Sequence, residues 1–151
     1  MLRLSQDVYA QIRLEAEGAY PCEGCGVLLG VASEDSARVT EAVAARNASA
    51  SPLNHYEIGL KELVSIQRQA QIAGLEIVGF YHSHPDHPAE WSKTDFAEAH
   101  WIGCSYVITE VAEGRAGATN SFWLAGTGEV DKRFDQQEIY IEGPVEADLE
   151  R

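Results

Sequence analysis

The spacing of apolar positions changes several times along the chain, and each change predicts an element. Around Ser5, a candidate N-cap, Leu4, Val8, Ile12 and Ala16 recur at every fourth residue, which predicts an amphipathic helix over 6–19 closed by Gly18 and Pro21. Val27 to Leu29 form a continuous apolar run between glycines, the pattern of a strand buried on both faces and entered through a tight turn. Residues 37–46 are predicted as a second strand, although their alanines also suit a helix. Residues 47–54, rich in Ser, Ala and Asn, read as a surface loop. From Gly59 the helical period returns through Leu60, Leu63, Val64 and Ile66 to Ala73, with Gly74 as the stop. Residues 75–82 are an apolar strand leading into a polar loop, and Pro85 is expected to end its pairing. A helix from Ser92 to about Trp101, a hairpin of strands 105–111 and 120–125 around a turn at 113–119, and an edge strand at 138–142 complete the pattern.

Helices and strands in this order, without strict βαβ alternation, predict an α/β (α+β) fold, a central mixed β-sheet flanked by helices. No repeat and no linker divides the 151 residues, so 1–142 are expected to form a single domain and 143–151 a polar, frayed C-terminal tail.

Composition narrows the class. Apolar residues at 45% and charged residues at 23% fit a soluble globular protein. Eleven basic against 24 acidic residues leave a net charge of −13, which repels phosphate backbones and argues against nucleic acid as a partner. No apolar stretch approaches the roughly 20 residues that span a bilayer, and the N-terminal residues lack a signal-peptide pattern. No membrane partner is therefore expected, and a cytoplasmic location is. Three cysteines, Cys22, Cys25 and Cys104, do not describe a secreted disulfide framework.

The chemistry concentrates between Glu76 and Asp95. His82 and His84, two apart at a strand end, project to the same face. Ser92 and Asp95, three apart, read as a helix N-cap with an acid in the first turn. Two imidazoles and one carboxylate supply three metal ligands and no evident fourth, the count of a catalytic rather than a structural zinc site. Glu23, Asp86, Glu90 and Glu98 are candidates for the carboxylate that takes a proton from a metal-activated water. Cys22 and Cys25 form a C-x-x-C pair, but with no second pair in the chain buried thiols or a local disulfide are favoured over a redox or iron–sulfur role. His55 and His100 lack a partner at ligand spacing and are read as structural. His87 is read as a solvated loop residue, and Trp91 as a cleft wall or a packing residue.

The run His82-Ser-His84-Pro85, six residues, then Ser92-Lys-Thr-Asp95 resembles the H-x-H-P-x6-S-x-x-D signature of the JAMM/MPN+ (Mov34/PAD-1-type) zinc metalloprotease family. The upstream segment from Pro21 through Glu23 to Gly30 is similar to the one that carries that family's catalytic glutamate, and the order of elements agrees over most of the chain. The resemblance implies a cytidine-deaminase-like MPN domain holding one Zn2+ through His82, His84 and Asp95. It implies Glu23 as general base and then acid, and Ser92 as a hydrogen-bond donor to the oxyanion. Ser83 would turn away from the metal, where small size matters. The compact chain is more like the small prokaryotic members, and the implied activity is hydrolysis after the C-terminal glycines of a ubiquitin-like protein, with a sulfur-carrier protein tail as the expected substrate. Oligomeric state is left as monomer or homodimer. The alternative is a non-catalytic MPN scaffold that binds a ubiquitin-like partner; four intact site residues weigh against it.

Overall fold

The computed structural model describes residues 1–143, so the tail expected at 143–151 lies, apart from Gly143, outside the described residues. The elements in chain order are β1 (Leu2–Ser5), α1 (Gln6–Ala19), β2 (Cys25–Ala32), β3 (Ala37–Ala45), α2 (Leu60–Ile72), β4 (Glu76–Pro85), α3 (Lys93–Glu98), β5 (Ser105–Ala112), β6 (Arg115–Ala125), β7 (Arg133–Gln137) and β8 (Ile139–Glu142). All eight strands belong to one sheet in the order β7-β6-β5-β4-β2-β3-β1-β8. It is mixed: β4 pairs parallel with β5 and antiparallel with β2. The expected fold class is therefore the observed one. No helix among the described residues is long and apolar enough to cross a membrane.

The period-two alternation of the central strands divides the core between two faces. Leu28, Tyr81 and Val107 meet Val8 and Ile12 of α1 on one face, while Val27, Leu29, Phe80 and Tyr106 meet Ile66 and Ala70 of α2 on the other. Gly26 lies under the Tyr81 ring, where a Cβ would come within 2.2 Å of it. That close approach lets the Tyr81 hydroxyl reach Glu15 on α1.

Several boundaries differ from expectation for local reasons. Helix α1 keeps its expected span and Ser5 caps it by accepting from the Val8 N–H at 3.1 Å, but Leu2 and Leu4 ahead of it are buried in an unexpected first strand. Strand β4 runs beyond its expected end at 82, and its pairing with β5 ends at Pro85, opposite Val111, as expected. Asp86 N–H donates the closing bond to Val111 O at 2.7 Å, since the proline has no N–H to give. The turn of the β5–β6 hairpin is confined to Glu113 and Gly114 rather than 113–119, and β7 is an unexpected strand. Helix α3 stops at Glu98 instead of Trp101, because Ala99 turns to an extended conformation with ψ 113°.

Candidate metal centre

Strand register brings the chemistry together. Cys25 lies opposite His82 in the antiparallel β2–β4 pair, and Ser83 N–H donates to Gly24 O at 3.0 Å just beyond it. Continued by one more step, that register sets Glu23 opposite His84, on the face shared by Phe80 and Val27. The face alternation also sends Ser83 the other way, as expected, but its role is more than small size: its Oγ accepts from the Gly24 N–H at 2.8 Å and ties the two strand ends together.

Asp95 arrives from α3. Ser92 Oγ accepts from the Asp95 N–H and Asp95 Oδ2 accepts from the Ser92 N–H, both at 3.0 Å, a full capping box. His82 Nε2 and His84 Nε2 are 3.1 Å apart, and the same Asp95 Oδ2 lies 3.3 Å from the first and 3.0 Å from the second. A tetrahedral zinc with bonds of about 2.0–2.1 Å needs its ligand atoms about 3.3 Å apart, so the three donors fit that ion. His84 Nδ1 meets the Pro88 carbonyl at 2.8 Å. A carbonyl only accepts, so Nδ1 carries the proton and the Nε2 lone pair is left for a metal. The His82 ring is stacked on Tyr56 with centroids 4.3 Å apart, and its Nδ1 is buried without a partner.

Electrostatics separates the groups. Burial depresses the basicity of His82. Burial works against the charged form of His84 too, but the Asp95 hydrogen bond and the Pro88 carbonyl outweigh it and raise its pKa. Asp95 is held well below the usual carboxylate range: burial opposes its charge, but the two imidazoles and the Ser92 N–H beside it outweigh that desolvation. Glu23 is 6% exposed and its Oε1 has no partner. Burial pushes its carboxyl up to about 7, with the positive field of His84 limiting the rise.

Residues 5–125 match the family of prokaryotic homologs of the JAB domain. The chain belongs to that family. A relative named desampylase, from Haloferax volcanii, is 41% identical over 101 residues, covering 67% of this chain and 71% of the relative. Two solution structures are similar to this JAB domain throughout. A Desulfitobacterium hafniense protein superposes with a TM-score of 0.82 at 26% identity, covering 97% of each chain. A Salinibacter ruber protein does so with 0.71 at 37% identity, covering 93% of this chain and 91% of its own.

Of the other candidate bases of this JAB domain, Asp86 and Glu98 are engaged with other partners and Glu90 stands at a cleft rim. Asp86, with a left-handed φ of 56°, accepts from the Tyr20 hydroxyl at 2.7 Å and the Glu113 N–H at 2.8 Å, which makes it a turn anchor. Glu98 pairs with His55 at 2.6 Å, and Glu90 is exposed. His55 and His100 do have carboxylate partners, Glu98 and Glu129, but from residues too distant in sequence for spacing to reveal. Cys22, Cys25 and Cys104 are all free thiols, and Cys25 and Cys104 are buried. Trp91 packs against Phe96 and Phe134 at 5.4 and 5.5 Å, the packing role of its two readings.

Two clefts flank the centre. One, of about 370 Å³, has a floor of Leu63, Phe80, Trp101 and Tyr106 and reaches Asp95. The other, of about 380 Å³, is bordered by Glu23, His84, Ser92 and Glu90, and His87, solvent-exposed as expected, stands at its edge. A residue that sequence reasoning missed is Lys132. Its Nζ donates to the carbonyls of Phe96 and Ala99 at 2.9 Å and of Ala97 at 3.3 Å, capping the C-terminus of α3.

Proposed function

We propose that this JAB domain, spanning residues 1–142, is a zinc-dependent isopeptidase that hydrolyses the bond after the C-terminal glycines of a ubiquitin-like protein, with a cytoplasmic sulfur-carrier type of protein as the substrate. The observation that carries the reading is the convergence of His82, His84 and Asp95 at zinc spacing beside a buried glutamate. The relative named desampylase supports a ubiquitin-like conjugate as the substrate class.

His82, His84 and Asp95 would hold the ion, which when bound supplies a polarised carbonyl and a water acidified to a pKa of about 7. The residues of the chain do the rest. Glu23, whose carboxyl lies near neutrality, takes a proton from the attacking water and returns it to the leaving nitrogen. Ser92 Oγ uses a lone pair to cap Asp95, which leaves its O–H proton free to meet the substrate carbonyl oxygen as negative charge builds there. Tyr56 under His82 and the Pro88 carbonyl behind His84 keep both rings oriented. The clefts on either side give an extended glycine tail and its leaving lysine separate approaches to the same carbonyl.

The test is metal analysis paired with cleavage. Purified protein loaded with zinc should hold about one ion per chain and release free ubiquitin-like protein from a lysine conjugate, and a chelator should stop the release. Protein that takes up no zinc but binds the ubiquitin-like protein tightly would move the reading to the scaffold alternative.

A further inference from the structure

Residues 46–59, between β3 and α2, supply none of the ligand or proton-transfer groups assigned above, yet they touch both halves of the site. Glu23 lies two residues before β2 begins, and its backbone is held by this segment rather than by the sheet. Its N–H donates to Pro52 O at 2.8 Å, and its carbonyl accepts from Asn47 Nδ2 at 3.0 Å. The same Asn47 Nδ2 donates to His55 O at 2.9 Å, and Asn47 Oδ1 accepts from the N–H groups of Ser49 and Glu57 at 3.0 and 3.2 Å. At the far side, His55 Nε2 meets the two carboxylate oxygens of Glu98 at 2.6 and 2.8 Å, while its Nδ1 lies 2.6 Å from Ser49 Oγ. Glu98 is the last residue of α3, the helix that carries Asp95. Tyr56, the neighbour of His55, is the residue stacked on His82.

Both halves need such support. Helix α3 has only six residues and none of them is fully buried; Phe96 packs it on the core and Lys132 holds its C-terminal carbonyls, while the His55–Glu98 pair ties it to the segment that holds Glu23. Glu23 stands outside the paired part of β2, and its Oε1 makes no hydrogen bond that would orient it. A connection that runs from the Glu23 backbone through Asn47 and His55 to Glu98 fixes one half relative to the other.

We propose that residues 46–59 act as a clasp across the site, with His55 as a positioning residue whose bridge between Ser49 and Glu98 locks the segment that holds Glu23 to the helix that holds Asp95. The catalytic consequence rests on the hydrolase reading above; the mechanical coupling does not. An exposed His–Glu pair contributes little to stability by itself. Its effect here is on geometry, where a displacement of about 1 Å costs roughly 100-fold in rate.

The test compares wild type, His55→Ala and His55→Gln in the zinc-loaded protein. Three quantities are read: the exchange rate of the Glu23 amide by NMR, bound zinc, and kcat and KM on a lysine conjugate of a ubiquitin-like protein. Glutamine can still donate to Glu98 and accept from Ser49. In His55→Ala the Glu23 amide is expected to exchange about tenfold faster while the amides of Val27 to Leu29 keep their protection. Its kcat is expected to fall about tenfold or more at nearly unchanged KM and zinc content. His55→Gln restores both exchange and kcat to within about threefold of wild type. Unchanged Glu23 exchange in His55→Ala overturns the clasp, and so does a His55→Gln protein no better than the alanine variant. If the wild type cleaves nothing, the hydrolase reading fails, and the exchange comparison still decides the clasp.

Discussion

Replacing Glu23 by glutamine should stabilise the metal-free protein, and by an amount that depends on pH. Glu23 is buried with an unpartnered Oε1, and burial raises its carboxyl from an ordinary 4.5 to about 7. The sign follows from linkage: with the folded pKa above the unfolded one, the fold is favoured while the group is protonated. That advantage is lost as pH rises from about 4.5 through about 7. At ~1.4 kcal/mol per tenfold change in the proton equilibrium, the ionised side chain costs the metal-free fold about 3 kcal/mol near pH 8. Glutamine has a similar shape and no charge. Urea unfolding of chelator-treated wild type and Glu23→Gln should therefore differ little near pH 5, and the variant should gain about 2.5 kcal/mol on the wild type by about pH 8. In zinc-loaded samples the gain should shrink, because a neighbouring cation stabilises the carboxylate. A stability difference that stays constant between the two pH values in the metal-free proteins would refute the reasoning.

Three further perturbations test other parts of the account. His84→Ala removes one of three ligands and should weaken zinc binding by more than about 100-fold, measured by competition with a chromogenic chelator. Lys132→Met removes a nearly buried cation from three α3 carbonyls; it should cost about 2–3 kcal/mol in urea unfolding and weaken zinc binding through Asp95, and unchanged stability would exclude the capping role. Gly26→Ala forces a Cβ against the Tyr81 ring and should cost about 1–3 kcal/mol in thermal or urea unfolding.

Much of the fold was legible because its central elements are buried and periodic. The helical spacing of Val8, Ile12 and Ala16, the apolar run at Val27 to Leu29 and the run ending at His82 all carry their burial in their composition. The strands that sequence reasoning missed lie toward the sheet edges. β1 has only four residues, one of which, Leu4, fits the helical period of α1, and β7, Arg133 to Gln137, has a single apolar residue. The approach of Asp95 to the histidines follows from a local signature, since the strand end fixes His82 and His84 and the capping box fixes Asp95. Glu23 was placed through resemblance, and the register of Cys25 against His82 now gives the physical reason. What stayed hidden depends on contacts between distant segments. His55 finds Glu98 across 43 positions and Lys132 finds Ala99 across 33, and no local pattern encodes either meeting.

The central claim is that a buried glutamate beside a three-ligand zinc site drives hydrolysis at a ubiquitin-like tail. The most direct measurement incubates zinc-loaded wild type and Glu23→Gln with a ubiquitin-like protein joined to a lysine, and scores the released fragments by mass while bound zinc is assayed in parallel. The account predicts that wild type frees the intact glycine-terminated protein, whereas Glu23→Gln keeps its zinc and loses about 100-fold or more in kcat. Cleavage by Glu23→Gln at the wild-type rate, or by wild type stripped of metal, would contradict it.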